Sequence, residues 1–380
     1  MRVLAKMEYR GIGVDPDVLH AIRDELVAET EAKRAAVIEH AGHDFNVNST
    51  KQLRKVLFDE LGLTPQKKTK TGYSTDAQSL EKMRTEHPIV EDLLQYREVE
   101  KLRSTYGEGL LAEVGEGNRI RATFQQTVAR TGRLSSDQPN LHNIPVRSER
   151  GRVFRTAFVA PEGHKFLIAD YDQIELRCIA HLAEDPGLIG AFEAGDDIHT
   201  ATAAAVFDIA PEDVHVEERS KAKMVSYGLA YGMEAYGLAQ RLNIPVPEAS
   251  EILESYFAAF PAVKQYMEDT VELARERGYT ETLFGRRRQI PELSSNNRQI
   301  RQAGERQAMN AGIQGLAADI FKVAIVNLDK VLEDERLESS IVLQVHDEII
   351  VEAPDAEVEQ AGELMTTIMR DAYELSVPLE

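Results

Sequence analysis

Apolar residues at helical spacing run through the first quarter of the chain. The stretch 15–41 begins with Asp and Pro, a common helix start, and 48–63 has a polar cap and a glycine close to its end. A further helix is predicted over 87–114, and the basic loop 64–75, "TPQKKTKTGYST", is expected to be exposed. Residues 15 to about 110 are therefore predicted to be mostly helical.

The pattern changes near residue 119, because 119–136 alternates between apolar and polar residues as strands do. The segment 165–172, "KFLIADYD", is typical of an apolar strand that ends in acids, with a helix starting near Gln173. Helices are predicted again from 197 to about 330, followed by the strand pair "SIVLQV" and "EIIVE" and an amphipathic helix over 355–375. The pattern predicts an α+β multidomain enzyme in which a small sheet, built from distant segments, carries two inserted helical subdomains.

Composition narrows the class of protein. The 380 residues are 43% hydrophobic and 28% charged, and no apolar run approaches the roughly 20 residues that a membrane span needs, so no membrane partner is predicted. The single cysteine, Cys178, excludes an internal disulfide, and the N-terminus lacks the pattern of a secretion signal; both favour a reducing cytoplasm. Cys178 itself is expected to be a small buried residue.

The net charge of −20 argues against a nucleic-acid partner, but phosphate binding needs only a local basic surface. Two basic concentrations exist, at 51–70 and 286–306, each with six basic and two acidic residues. Either run alone is better explained as a solvated face. Charge therefore leaves the question of partners open.

The first cluster of candidate functional residues is "DYDQIELR", residues 170–177. Asp170 ends the apolar strand, where a carboxylate can leave the core and face a cleft, and Asp172 and Glu175 follow within one helical turn. Acids at a helix N-terminus are also favoured by the helix dipole. These residues alone fit a charged helix start as well as a metal site.

The second cluster lies in "ERSKAKMVSYGLAYG", residues 218–232. Its residues Arg219, Lys223, Tyr227 and Tyr231 recur every four positions and would share one helix face over roughly 18 Å. Two cations followed by two rings match a nucleoside triphosphate, with the phosphates on the cations and the base and sugar near the rings. The alternative is an ordinary helix with its aromatic residues packed into a core, although cations do not belong in such a stripe.

The third cluster is "QVHDEIIVE", residues 344–352, which places His346, Asp347 and Glu348 between two apolar runs. A solvent-exposed turn is the plainer interpretation, but turns favour Gly and Asn and this one has neither. Buried flanking strands would hold the acids rigidly. Carboxylates from 170–172 and 346–348 could jointly hold two divalent ions about 3.5–4 Å apart, the arrangement used for in-line phosphoryl transfer.

Together, "DYDQIELR", "RSKAKMVSYGLAYG" and "QVHDE" resemble motifs A, B and C of the family A DNA polymerases, the group of the bacterial DNA polymerase I enzymes. The stretches "TGRLSSDQPNLHNIPVR" (131–147), "TLFGRRRQIPEL" (282–293) and "ERQAMNAGIQGLAADIFK" (305–322) agree, and "NSTKQL", "KKTKTGYST" and "YREVEKLRSTY" resemble the family's thumb. The resemblance covers nearly the whole chain, in order.

The resemblance implies a right-hand fold with an antiparallel-sheet palm, a helical thumb and helical fingers. The palm would comprise 1–20, 119–175 and 306–380, the thumb 21–118 and the fingers 176–305. The last palm strand of the family and its nuclease domains, including any proofreading domain, are expected to be absent.

The resemblance also implies template-directed DNA synthesis, in which a primer 3′-hydroxyl attacks the α-phosphorus of a deoxynucleoside triphosphate with the help of two Mg²⁺ ions, or Mn²⁺ in their place. Asp170, Asp347 and the backbone of Tyr171 would bind the metals, with Glu348 beside them, and Lys223 would act on the leaving pyrophosphate. A monomeric, nucleoid-associated cytoplasmic enzyme is implied.

Two further sets of site residues follow from the resemblance. Those implied to bind the nucleotide are Arg219, Lys223, Tyr227, Tyr231, Glu175, Gln173 and His199. Those implied to contact primer–template DNA are Arg133, Asn140, Asn143, Arg306, Asn310, Gln314 and His346.

This chain departs from the family pattern at several positions. Asp172 stands where motif A commonly has Ser, which adds an acid near the metals, and His142 and Gln289 replace a usual Gln and Tyr. Tyr227 and Ser226 stand where motif B often has Phe and Asn. In the family a Tyr at this position goes with weak discrimination against dideoxynucleotides, which we predict here.

Two other functions stay open at this point. One is a primer–template-binding fragment without catalysis, and the other is a single-subunit RNA polymerase, which shares the motif order. Glu175 paired with Tyr231, and "HDE" where RNA polymerases usually have "HDS", favour the DNA polymerase. Two acids and a His in "GDDIHTATAAAVF" suggest a metal site, but Asp196 or Asp197 capping a helix with His199 packed beside it is the simpler interpretation.

Overall fold

The computed structural model describes residues 2–145 and 149–380. Its helices are α1 Arg2–Arg10, α2 Pro16–Ala41, α3 Thr50–Arg54, α4 Ala77–Lys82, α5 Pro88–Leu102, α6 Gly109–Ala112, α7 Glu149–Val153, α8 Ile174–Ala183, α9 Pro186–Glu193, α10 Ile198–Phe207, α11 Val216–Ala230, α12 Ala235–Leu242, α13 Val246–Ala259, α14 Pro261–Arg277, α15 Arg298–Asp334 and α16 Val358–Arg370. Its strands are β1 Ile12–Gly13, β2 Lys68–Thr69, β3 Gly72–Tyr73, β4 Val114–Gly115, β5 Arg119–Ile120, β6 Thr123–Gln125, β7 Ser135–Asp137, β8 His164–Asp170, β9 Tyr279–Glu281, β10 Arg287–Gln289, β11 Ser340–Val345 and β12 Glu348–Pro354.

The chain divides into two compact units. The first comprises residues 1–7, 124–136 and 162–380, and the second comprises 8–123 and 137–161. The three-part division into palm, thumb and fingers stays a prediction, and residues 146–148 of the predicted palm lie outside the described residues.

In the second unit, α2 and α5 pack against each other. Buried aliphatic and aromatic residues from the sequence range 37–96 form a hydrophobic core in this unit. The start of α2 confirms the predicted helix signal, because the Asp15 side chain accepts hydrogen bonds from the first backbone N–H groups and Pro16 occupies the first turn. Gly42 ends the helix with a φ of 75°, which a glycine adopts without strain. The basic loop 64–75 contains the short hairpin β2–β3.

The first unit is built on the antiparallel sheet β11–β12–β8. The predicted hairpin is confirmed, with β11 and β12 joined by a two-residue turn, and the predicted strand over 165–172 corresponds to β8. Strand β12 pairs with β8 along seven positions, from Pro354 opposite His164 to Glu348 opposite Asp170. Ile349 and Val351 are fully buried, so one face of the hairpin is fixed in the core.

Helix α15 forms much of the core of the first unit, and α8, α14 and α16 pack against it. It is one helix among the described residues that is long and apolar enough to span a membrane, but 67% of its most apolar window is buried inside the protein. That burial is what a central core helix requires.

Two predictions of local structure need correction. Within 119–136 only the short strands β5, β6 and the start of β7 form, and the segment between β6 and β7 includes Gly132 at a φ of 88°. A Cβ there would lie 2.6 Å from Arg286 Nε. The segment between β6 and β7 therefore packs closely against a side chain that is distant in sequence, and it forms no strand. Helix α11 ends one residue before Tyr231, because Gly232 takes a left-handed φ of 68° and approaches Asn310.

Candidate active site

Asp170 and Asp347 are brought together by the register of the sheet. Asp170 is the last residue of β8 and pairs with Glu348, the first residue of β12. The Tyr171 backbone N–H donates to the Asp347 carbonyl at 3.2 Å, which ties the end of β8 to the hairpin turn. The two aspartates predicted to bind metal therefore lie side by side at one end of the sheet.

The turn that carries Asp347 has an unusual backbone. His346 adopts a φ of 55°, a region that L-residues other than Asn, Asp and His rarely occupy. At the first position of a two-residue hairpin turn a glycine would normally supply this geometry. The Gln344 amide donates to the His346 carbonyl at 2.7 Å and supports the turn from within the sheet.

The acidic residues repel one another at this end of the sheet. Burial, then the nearby charges of Asp347 and Asp172, raises the pKa of Asp170 above its ordinary value. A carboxylate that is buried beside like charges is stabilised by any cation that reaches it. Among the described residues no group of three or more His, Cys, Asp or Glu side chains could enclose a metal. Asp170 and Asp347 nevertheless supply carboxylate oxygens, the ligand type of a divalent ion that takes its remaining ligands from a substrate or water.

Arg133 is the cation that meets this cluster. Its Nη2 donates to Glu175 Oε1 at 2.8 Å and to Asp347 Oδ2 at 3.2 Å, and the Tyr231 hydroxyl donates to the same Glu175 oxygen at 3.1 Å. Burial opposes the charge of Arg133, but Asp347 and Glu175 outweigh it and raise the pKa of the guanidinium. The predicted pairing of Glu175 with Tyr231 is thus a contact, whereas the link from Arg133 to Asp347 was not foreseen.

Helix α11 carries the predicted cationic face. Arg219 Nε donates to Asp197 Oδ2 at 2.6 Å on an exposed surface, and the Lys223 ammonium lies 5.9 Å from the centre of the Tyr227 ring. The His199 ring lies 5.6 Å from that same ring. Arg219, Lys223 and Tyr227 therefore follow one another along the helix as predicted, with Tyr231 at its C-terminal cap.

Asp197 connects two elements at this face. It caps α10 by accepting from the His199 backbone N–H at 3.0 Å, as the simpler interpretation of "GDDIHTATAAAVF" predicted. Its pKa falls to about 2: burial acts against the charge, but the bond from Arg219 and the cap bonds outweigh it. Burial, then Lys223, lowers the pKa of His199 to about 4, so this histidine is neutral at pH 7. The second role of Asp197, as the partner of Arg219, was not predicted.

The remaining predicted site residues are spread more widely. In the first unit, Gln314 donates to the Ala230 carbonyl at 3.3 Å, Asn310 is buried beside Gly232, and Arg306 pairs with Glu234 at 2.9 Å. The side chain of Gln173, a residue with a left-handed φ of 56°, donates to Asp172 at 3.1 Å. Asn140 and Asn143 belong to the second unit, at a short 3-10 turn.

A buried arginine that sequence reasoning missed braces this end of the sheet. Arg177 donates from Nε to the Asp172 carbonyl at 2.9 Å and from Nη1 to the Pro378 carbonyl at 2.6 Å, and its guanidinium lies 4.6 Å from the centre of the Phe192 ring. The Tyr171 hydroxyl donates to the Met369 carbonyl at 2.6 Å. The one feature of the sequence that points to a buried role for Arg177 is its position among the apolar residues of α8.

The architecture described above is a right-hand polymerase fold. The structure superposes on a solved structure described as the POL domain of Pol1 from M. smegmatis in complex with DNA primer-template and dNTP, with a TM-score of 0.94 and 48% identity, covering 100% of this chain and 67% of that one. A sequence model of DNA polymerase family A matches residues 16–380.

Two curated relatives give the same result. DNA polymerase I of Geobacillus stearothermophilus is 50% identical over 380 residues, which cover 100% of this chain and 43% of that protein. A thermostable DNA polymerase I of Thermus filiformis is 50% identical over 382 residues, which cover 100% of this chain and 46% of that protein. The chain therefore belongs to DNA polymerase family A, and it spans less than half the length of these relatives.

Proposed function

We propose that this chain is a DNA-directed DNA polymerase that extends a primer with deoxynucleoside triphosphates. The observation that carries the proposal is the pairing of Asp170 beside the turn of Asp347 in a chain of this family. The superposed Pol1 domain is in complex with primer–template DNA and a dNTP, and we propose the same partners here. The chain is proposed to act as a monomer in the bacterial cytoplasm, associated with the nucleoid.

The metal site is proposed at the end of the sheet. Membership of a DNA polymerase family implies dependence on divalent metal in general, and Asp170, Asp347 and the Tyr171 carbonyl would hold two Mg²⁺ ions, or Mn²⁺. When bound, such ions lower the pKa of a primer 3′-hydroxyl and stabilise the leaving pyrophosphate. Glu348 lies beside Asp170 in the register and would support this charge arrangement without being a primary ligand.

The protein residues would then position the reactants. Arg219 and Lys223 would bind the triphosphate through charge-assisted hydrogen bonds, and Lys223 would neutralise the pyrophosphate as it leaves. Tyr227 would lie against the incoming nucleotide. Glu175 and Tyr231, already in contact, would shape the pocket at the sugar and exclude a ribose 2′-hydroxyl.

Arg133, one of the residues proposed to contact DNA, would have to leave its present partners when DNA binds. Arg133 is bonded to Asp347 and Glu175 in the present structure, so it would exchange these carboxylates for the primer–template as the metals bind Asp347. His346 would lie near the primer end. The other proposed DNA contacts are Asn140, Asn143, Arg306, Asn310 and Gln314, and Gln173 and His199 complete the proposed nucleotide site.

The test is primer extension with Mg²⁺ by the wild type, Asp170→Ala and Asp347→Ala. Asp355→Ala is the matched control, because Asp355 is an exposed acid just beyond the other end of β12. We expect both site variants to lose extension while primer–template binding persists and the control stays active. Near-full activity in either site variant would contradict the metal assignment.

Two arms of the same assay separate the other functions. A wild type that binds primer–template but never extends it would be a binding fragment, and extension with ribonucleotides alone would indicate an RNA polymerase. Dideoxynucleotide incorporation tests Tyr227: we expect the wild type to accept dideoxynucleotides readily and Tyr227→Phe to reject them more. Efficient rejection by the wild type relative to this variant would contradict that prediction.

A further inference from the structure

Lys322 lies on α15 beyond the residues proposed to contact DNA. It is two steps of four residues past Gln314, and such steps keep neighbouring side chains close on a helix surface. On one side Lys322 lines a narrow gap together with Arg133, His346 and Asp347. It thus reaches the turn that carries the proposed catalytic aspartate.

On its other side Lys322 lines a larger cavity of about 510 Å³. Arg286 and Asn327 contribute polar groups to this cavity, and Phe284 and Val326 contribute apolar walls that are 43% and 54% exposed. The cavity therefore combines cationic groups with apolar surface and is accessible from solvent.

The acid in this cavity is fully engaged by other residues. Asp319 Oδ1 accepts from Arg286 Nε at 2.8 Å and from Nη2 at 2.5 Å, while Asp319 Oδ2 accepts from the Thr282 hydroxyl at 2.7 Å. Among the described side chains of residues 2–145 and 150–380, no acid forms an ion pair with Lys322, on which Asp319 acts only through its charge. Burial, then the charge of Arg286, lowers the pKa of the ammonium. Two cations therefore lie near a single carboxylate, and that carboxylate is paired with Arg286.

An excess cation held half-buried beside a second cation is unfavourable unless an anion reaches it. We propose that Lys322, with Arg286 beside it, binds a backbone phosphate of the primer–template duplex close to the reacting end. This inference rests on the proposed polymerase function. A phosphodiester fits better than a free anion because the apolar walls of Phe284 and Val326 would lie against a sugar, and because the neighbouring gap leads to His346 and Arg133.

The test compares Lys322→Gln with Lys330→Gln, a matched control on the same helix whose lysine is exposed and lies two further steps of four along α15. Binding of a fluorescent primer–template is measured between about 50 and 200 mM salt. We expect Lys322→Gln to reduce the slope of log K against log salt by about 1, equally for all sequences, and Lys330→Gln to leave it unchanged. Lys322→Arg, which keeps the charge, should keep the slope.

A second measurement identifies the strand. A single neutral methylphosphonate is placed at each linkage of primer and template in turn, and one position should weaken binding by the wild type but not by Lys322→Gln. Wild-type slope in folded Lys322→Gln, equal loss in both lysine variants, or no such linkage would overturn the inference. A wild type that neither binds nor extends primer–template would instead overturn the proposed function.

Discussion

The acidic residues at the end of the sheet and the cationic residues of α11 differ in how deeply they are buried and in what they bond to. Beside the end of the sheet, the side chains of Glu175 on α8 and of Asp347 in the hairpin turn are 6% and 20% exposed, and Arg133 donates to both. On α11, Arg219 is 43% exposed and is held by an exposed pair with Asp197. The acids are largely buried and carry like charges, whereas the cations stay close to water.

This difference suits the two kinds of ligand that we propose, metal ions and a nucleoside triphosphate. Metal ions, as proposed here, need oxygens at fixed positions, and Asp170 lies beside Asp347 although burial and the neighbouring charges raise its pKa. A triphosphate must arrive and leave in every cycle, and cations that are already solvated lose little on exchanging water for phosphate. The predictions that follow test this contrast.

The largest expected effect comes from Asp170→Asn. Primer extension should fall by about 10³-fold or more, because the substitution removes a charged carboxylate from the proposed metal site. The thermal midpoint measured in EDTA at pH 7 should nevertheless equal or exceed that of the wild type. A clear drop in the midpoint would show that Asp170 stabilises the fold rather than straining it.

The sign of this stability effect can be checked with pH. The folded pKa of Asp170 is raised, so its contribution to stability is present at low pH and is lost as pH rises through that pKa. The advantage of Asp170→Asn should therefore grow as pH rises from about 4 and vanish below it. Melting curves in EDTA across this range measure it.

Arg177→Gln should have the next largest effect. It removes a buried guanidinium that holds the Asp172 and Pro378 carbonyls, and loss of such charge-assisted bonds costs about 3 kcal/mol. We expect a lower thermal midpoint and weaker extension, whereas Arg177→Lys should recover part of the stability. Urea unfolding of the three proteins gives the comparison, and equal stability would contradict the bracing role.

Lys223→Ala should weaken use of the nucleotide by roughly 10- to 100-fold in kcat/KM, since one charge-assisted bond to phosphate contributes about 1.5–3 kcal/mol. Primer–template affinity should be unchanged. Steady-state kinetics with varied dNTP, beside a binding titration, separates the two quantities. A matching loss of DNA affinity would place Lys223 at the duplex instead of the triphosphate.

The smallest effect is expected for Asp197→Asn. Asn caps a helix as well as Asp does, so α10 should keep its stability while Arg219 loses its exposed partner. Exposed pairs contribute about 0.2–1 kcal/mol, so the KM for dNTP should fall by up to about 5-fold. A higher KM would mean that the pair positions Arg219 rather than competing with the phosphates.

Much of the sheet could be predicted from sequence because its signals are local. The apolar runs around His346 and before Asp170 define strands, and their acids mark the ends that meet. The link from Arg133 to Asp347 could not be predicted, since it joins segments far apart and the arginine also fits a DNA contact. The end of α11 before Tyr231 depends on the left-handed Gly232 and its approach to Asn310, which periodicity does not reveal.

The pairing of β8 with β12 also has a consequence for folding. Asp170 and Asp347 are almost half the chain apart, so the ladder that joins them closes a very long loop, and such non-local contacts form slowly. During synthesis, β8 leaves the ribosome long before its partner strand exists. The proposed primer extension should therefore appear only after β12 has been made and has paired with β8, which makes it a sensitive reporter of folding of this unit.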